Sequence, residues 1–171
     1  MKERDFDIWL SKFRASIATY DYYIDFEKVY RNVDEIKIEL NILNSLIGSK
    51  NIKEDFIKVL KKYPETLKVI PILLAKRENE IYCQDENGGY LYRFKVEKYP
   101  PNSHLFYERC CYFMEQTGLF DLLQNHLINN LVDYVTGVET GLDSNGRKNR
   151  GGRLMEDLVE KYIQKAGFMK D

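Results

Sequence analysis

The sequence predicts a mainly α-helical chain carrying one small β-hairpin. Two patterns carry this prediction. Apolar residues recur at three- and four-residue steps through most of the chain, as in helices that bury one stripe. The exception is Ile81-Tyr82-Cys83 and Tyr90-Leu91-Tyr92-Arg93-Phe94, which bracket Asp85-Glu86-Asn87-Gly88-Gly89. That stretch reads as a hairpin near 81–94, turned by Asn-Gly.

Each helix follows from its own stripe. Phe6, Trp9, Leu10, Phe13 and Ile17 mark the first, with Asp5 placed to cap it. Phe26, Val29, Tyr30, Val33, Ile36, Leu40, Leu43 and Ile47 repeat the period as one long helix, which Gly48 ends. Asn51 is placed to cap a third, with Ile52, Phe56, Val59 and Leu60 inward and its end before Pro64. A short apolar helix runs through Leu67, Ile70 and Leu74, with Pro71 as a kink or break.

After the hairpin and Pro100-Pro101, helix resumes near Ser103, and Gly118 closes that segment. Leu127, Leu131, Tyr134, Val135 and Val138 then form a stripe, and Gly137 and Gly141 lead out of it into a basic loop over 143–153. Met155, Leu158, Val159, Tyr162, Ile163 and Ala166 define a last helix, closed by Gly167. The division expected is a helical region with the hairpin over 1–125, then a connecting helix, basic loop and final helix over 126–171.

Composition narrows the function classes. An apolar content of 44% over 171 residues supports a packed core of ordinary domain size. A net charge of −1 excludes a generally basic, histone-like protein, so any nucleic-acid affinity must be local. Cys83, Cys110 and Cys111 are odd in number, with two adjacent, and make neither a disulfide framework nor a zinc spacing. Free thiols imply a reducing cytoplasm. No apolar run approaches a membrane span, and no signal-type core follows the N-terminus, so no membrane partner is expected.

The local charge lies in Gly146-Arg147-Lys148-Asn149-Arg150-Gly151-Gly152-Arg153, which holds four cations, three glycines and one amide. Arginine or lysine grips guanine O6 and N7, and asparagine pairs with adenine N6 and N7. The residue types do not decide which of Arg147, Lys148, Asn149 and Arg150 reads a base and which holds phosphate. Arg153 stands one turn into the last helix, where it also faces Asp157 at the i+4 position. A solvated connector has the same composition.

Other candidates are weaker. Lys50, in Gly48-Ser49-Lys50, is within reach of a phosphate, although the stretch lacks the upstream glycine of a P-loop. Glu156 falls near the start of the last helix, where the macrodipole favours an acid. Glu139, between Gly137 and Gly141, either orients the loop arginines or ends a helix. Glu35-Ile36-Lys37 spells Glu-x-Lys but sits in a helical repeat, and is read as non-catalytic. His126 is read as structural.

Several blocks resemble one family. Asn41-Ile42-Leu43-Asn44-Ser45-Leu46-Ile47-Gly48-Ser49-Lys50-Asn51-Ile52, Leu67-Lys68-Val69-Ile70-Pro71 with Ala75-Lys76-Arg77, and Gly118-Leu119-Phe120-Asp121-Leu122-Leu123-Gln124-Asn125-His126 carry the resemblance. The longest block runs from Asn130 to Arg150. They resemble the DpnII/MboI-type restriction endonucleases, which cut at GATC, over most of residues 20–170. The Gly137-to-Arg150 block with Met155-Glu156 is similar to one shared by several families of the PD-(D/E)xK nuclease superfamily.

The resemblance implies a helical region leading into the first helix of an α/β PD-(D/E)xK-type core whose sheet is absent from these residues. It implies Mg²⁺-dependent hydrolysis of double-stranded DNA at GATC by a homodimer, a type II site-specific deoxyribonuclease. Glu156 would take the helix carboxylate position, with the metal-binding Asp and the Glu-x-Lys expected beyond Asp171. On that reading residues 1–171 alone are expected not to cut. The competing readings are a non-catalytic DNA-binding or regulatory module, and a helical interaction domain with a solvated loop.

Overall fold

The computed structural model describes Ile8, residues 23–86, 88–95 and 104–165, with the backbone alone at several positions from 150 onward. The elements are α1 (Phe26–Asp34), α2 (Lys37–Leu43), a 3₁₀ turn (Asn44–Leu46), α3 (Ile52–Lys62), a second 3₁₀ segment (Pro64–Val69) and α4 (Ile70–Leu73). The hairpin β1 (Glu80–Asp85) and β2 (Gly88–Arg93) follows, then α5 (His104–Gln116), α6 (Leu119–Gln124) and α7 (Leu131–Lys165). The fold is mainly helical with one antiparallel hairpin, as the periodicities predict. No helix among the described residues is long and apolar enough to cross a membrane. The helix expected over Phe6–Ile17 lies outside the described residues, apart from the helical Ile8.

The described residues group into two compact units. One is 28–139, and the other comprises Ile8, 23–27 and 140–165. In the first, α1, α2 and the 3₁₀ turn bury Val29, Val33, Leu40, Leu43 and Leu46. The single helix expected over 26–47 is broken there. Ile36 takes φ −124°, its N–H bonds to Val33 O at 3.1 Å, and helix resumes when Leu40 N–H reaches Ile36 O. The break is hidden from periodicity because the steps from Val33 to Ile36 to Leu40 stay at three and four residues. Glu35-Ile36-Lys37 therefore lies at a turn between helices, not on a strand.

Asn51 occupies the N-cap of α3 without a side-chain cap bond. Ser49 fixes the turn that leads into the helix. Its Oγ accepts the Asn51 N–H at 3.2 Å and donates to Asp55 Oδ2 at 2.7 Å. Hydrogen bonds from Ser49 and Lys58 hold the Asp55 carboxyl below the usual carboxylate range. Pro71 sits in the first turn of α4, where a missing N–H costs no ladder bond.

The hairpin begins its second strand at Gly88, φ +118°, so this glycine pairs with Asp85 and is not the turn centre expected. Tyr92 and Phe94 face inward and meet Phe113 of α5 at centroid distances of 4.8 and 5.0 Å. On the outer face, the Tyr82 ring covers Gly89, where a Cβ would fall on the phenol. Cys110 and Cys111 are free and buried, and burial pushes their thiols up to about 12 and about 11.

Gly48 has a demanding place. It adopts φ +73°, donates its N–H to Leu123 O at 3.0 Å, and lies against the His126 imidazole. The helix stop read in sequence is thus also a close approach to α6. His126, itself at φ +51°, fills that contact. Leu127 is 69% exposed and precedes α7, so it does not belong to the stripe assigned to it. The first donors of α7 are met by amides: Asn44 Oδ1 accepts the Leu131 N–H, and Asn130 Oδ1 the Val132 N–H, both at 2.8 Å.

Gly48→Ala is expected to lower stability by about 1–3 kcal/mol in urea unfolding, since it combines a left-handed backbone with a collision. Adding His126→Ala should recover part of the loss, whereas no recovery would locate the cost in the backbone alone. With iodoacetamide at pH 8, Cys110 and Cys111 of the native protein should label far more slowly than in urea. Equal rates would show that their burial is not maintained in solution.

Candidate nucleic-acid interface

The basic segment is helical. The loop expected over 143–153 is absent, because α7 continues from Leu131 to Lys165 through Gly137, Gly141, Gly146, Gly151 and Gly152. Each glycine costs a helix about 1 kcal/mol relative to alanine, which is why the sequence reads as a loop. Offsetting interactions arise at four-residue steps. Leu131 and Val135 are fully buried, and the next two positions on that spacing are the buried carboxylates Glu139 and Asp143.

Within the unit 28–139, Glu139 Oε2 accepts Arg77 Nη2–H at 2.6 Å and Asn32 Nδ2–H at 3.0 Å. Arg77 is about half exposed, and the carboxylate is 6% exposed. Burying a carboxylate is costly unless donors meet it, and two do so here. Glu139 therefore orients an arginine, but Arg77 and not the arginines of the basic segment.

In the other unit, Asp143 Oδ2 accepts the Asp25 N–H at 2.9 Å and lies 3.3 Å from Arg147 Nε. Arg147 Nη2 is also 3.8 Å from the Asp25 carboxylate. Asp143 and Arg147 form an i,i+4 pair with the acid N-terminal, the favourable order on a helix. The signal was in the sequence, since carboxylates at 139 and 143 precede arginine at 147 by the same step. Glycine content outweighed it.

The expected site residues separate. Arg147 is largely covered and tied to two acids, so its first role is to hold α7. Lys148 and Asn149 are exposed on the helix. Arg150 and Arg153 belong to the α7 backbone, and their side chains lie outside the described residues. Lys50 is exposed at the turn before α3, in the unit 28–139.

Glu156 is exposed in the interior of α7, far from a helix N-terminus, so the macrodipole argument for it falls. Asn149 and Glu156 stand seven residues apart, which places them on one face of the helix, about 10 Å apart along its axis. Among the described residues, no group of three or more His, Cys, Asp or Glu could hold a metal ion.

Residues 5–171 match the family model described as DpnII restriction endonuclease. The chain belongs to that family. It is 50% identical, over 97% of its length and 56% of the relative's, to the type II restriction enzyme DpnII of Streptococcus pneumoniae. It is 46% identical to the type II restriction enzyme MjaIII of Methanocaldococcus jannaschii, over 94% of this chain and 55% of that one. It is 36% identical to the type II restriction enzyme MboI of Moraxella bovis, over 94% of this chain and 55% of that one. The chain spans about half the length of the curated relatives it matches. No solved structure matches it.

A double-mutant cycle over Arg77→Ala and Glu139→Ala is expected to give a coupling of about 1–3 kcal/mol, discounted for the half-exposed arginine. A coupling near zero in thermal or urea unfolding would mean that solvent already screens the pair.

Proposed function

We propose that this chain is a DNA-recognition part of a type II restriction endonuclease that binds duplex GATC. The observation that carries the reading is its 50% identity, over nearly its whole length, to a relative named as a type II restriction enzyme. The choice of GATC rests on the resemblance of residues 41–52, 67–71 with 75–77, and 118–126 to the GATC-cutting group, in addition to the shared block ending at Arg150. The reaction we infer is Mg²⁺-dependent phosphodiester hydrolysis by a homodimer in the cytoplasm. A palindromic site is most simply met by two-fold related copies.

The geometry supports recognition by a helix. The major groove of B-DNA admits an α-helix, and a helix presents only the residues of one face to base edges. Consecutive positions turn by about 100°, so Arg147, Lys148 and Asn149 cannot all address the same groove. We assign Asn149 to base edges, where its amide suits adenine N6 and N7, and Lys148 to phosphate. Arg147 is assigned to holding α7 in place.

Mg²⁺ demands near-ideal octahedral oxygen ligation. Glu156 alone does not supply it, and the described residues do not fit such a site, so no step of hydrolysis is derived through the metal.

Binding to GATC and scrambled duplexes across a salt series tests these roles. Lys148→Ala should weaken both duplexes alike and lower the log–log salt slope by about one. Asn149→Ala should erode preference for GATC by about 1–3 kcal/mol. Equal losses on both duplexes after Asn149→Ala would contradict base reading. Arg147→Ala should instead lower the melting temperature, and an unchanged value would remove its anchoring role.

A further inference from the structure

Arg77 is held from two sides, and both holds come from α7 within the unit 28–139. The Tyr134 hydroxyl donates to Leu73 O at 2.8 Å and pins the end of α4. From there the chain turns tightly: Ala75 N–H meets Ile72 O and Lys76 N–H meets Pro71 O, both at 3.0 Å. Ala75 takes φ +56° in that turn, a left-handed backbone that a residue with a Cβ adopts at a cost. Such a conformation persists only where the surroundings hold it. Two residues on, the Arg77 side chain reaches the buried Glu139.

The pairing does more than balance charge. An arginine that only neutralised a carboxylate would grip both oxygens in a fork and share its burial. Here the Arg77 Nη2–H bonds to Oε2 at 2.6 Å, and the same oxygen takes Asn32 Nδ2–H at 3.0 Å. The guanidinium stays about half exposed. One of its five N–H groups is committed, and a parallel pair remains for a second planar acceptor. Among the described residues no other arginine has a buried acid behind a half-exposed head. Arg93 meets Glu80, which is itself 47% exposed, Arg109 lies over the Tyr90 ring, and Arg147 is largely covered.

We infer that Arg77 reads the guanine of GATC, with Glu139 and Asn32 as the residues that position it. In the proposed recognition Asn149 answers to adenine and Lys148 to phosphate, so the guanine is left to another residue. Guanine offers O6 and N7 side by side in the major groove, and a paired N–H edge of arginine matches them. Phosphate is the poorer match. The charge of Arg77 is already balanced by Glu139, and its neighbours Lys76 and Glu78 are both exposed and opposite in sign. A patch without net positive charge has little pull on the DNA backbone but loses nothing toward a neutral base edge. The pre-set guanidinium also gives up less side-chain freedom on binding than a solvated arginine would.

This inference rests on the proposed recognition of GATC, and one binding series separates the two. The duplexes are GATC, the same site with 7-deazaguanine, in which C–H replaces N7, and a scrambled sequence with either base. The wild-type chain should bind the 7-deazaguanine site about tenfold more weakly than GATC, with no such loss on scrambled DNA. Arg77→Lys keeps a cation beside Glu139 but not the paired edge. It should lose about tenfold on GATC, keep its affinity for scrambled DNA, and no longer respond to 7-deazaguanine. Should that variant fail to fold, Arg77→Met with Glu139→Gln removes both charges together and leaves Asn32 an acceptor. That pair should be equally blind to N7. A wild type that selects GATC yet ignores the missing N7, a lysine variant that still responds to it, or equal losses on GATC and scrambled DNA overturns the role of Arg77. A wild type with no preference for GATC counts against the recognition itself, and the role of Arg77 falls with it.

Discussion

A carboxylate buried on a glycine-rich helix is the constraint on which the rest of this structure depends. Glu139 is 5% exposed on α7 and is met by Arg77 and Asn32, two donors distant in sequence. A buried carboxylate without such partners would be strongly unfavourable, so this contact fixes the face that α7 turns inward through the unit 28–139. One step later Asp143 repeats the device with the Asp25 N–H and Arg147. These anchors let a helix of 35 residues persist through five glycines, where propensity alone would break it.

The consequence for the proposed recognition is a change of register. Read as a loop, the basic stretch offers four polar side chains with independent reach. Read as a helix, it divides them. Arg147 is drawn to the acids, Lys148 and Asn149 are presented outward, and Glu156 falls on the face of Asn149. A helix also places its side chains at fixed intervals, which suits a groove reader better than a flexible tether does.

Much of this was legible in the sequence where the signal is local. The stripes through Phe56 and Leu60, and the aromatic run of β2, gave elements of the right kind in the right order, because burial follows period. The family was legible too, from long blocks of side-chain identity. Long-range partners could not be read. Nothing near Gly48 announces His126, nothing near Glu139 announces Arg77, and the turn at Ile36 keeps the spacing of an unbroken helix. Glycine was the misleading residue. It marks a loop by propensity, yet Asp143 and Arg147 carry α7 through it.

The central claim is that residues 143–153 are a helix that displays Lys148 and Asn149, and the glycines inside it offer the most direct test. A Cβ added at Gly146 or Gly152 meets nothing within 4 Å, and neither takes a positive φ. The double variant Gly146→Ala, Gly152→Ala, measured by urea unfolding and GATC binding, should therefore be more stable by about 1–2 kcal/mol. Its affinity should be unchanged or tighter. A loss of both stability and GATC affinity would show that these positions need a loop conformation, and would contradict the account.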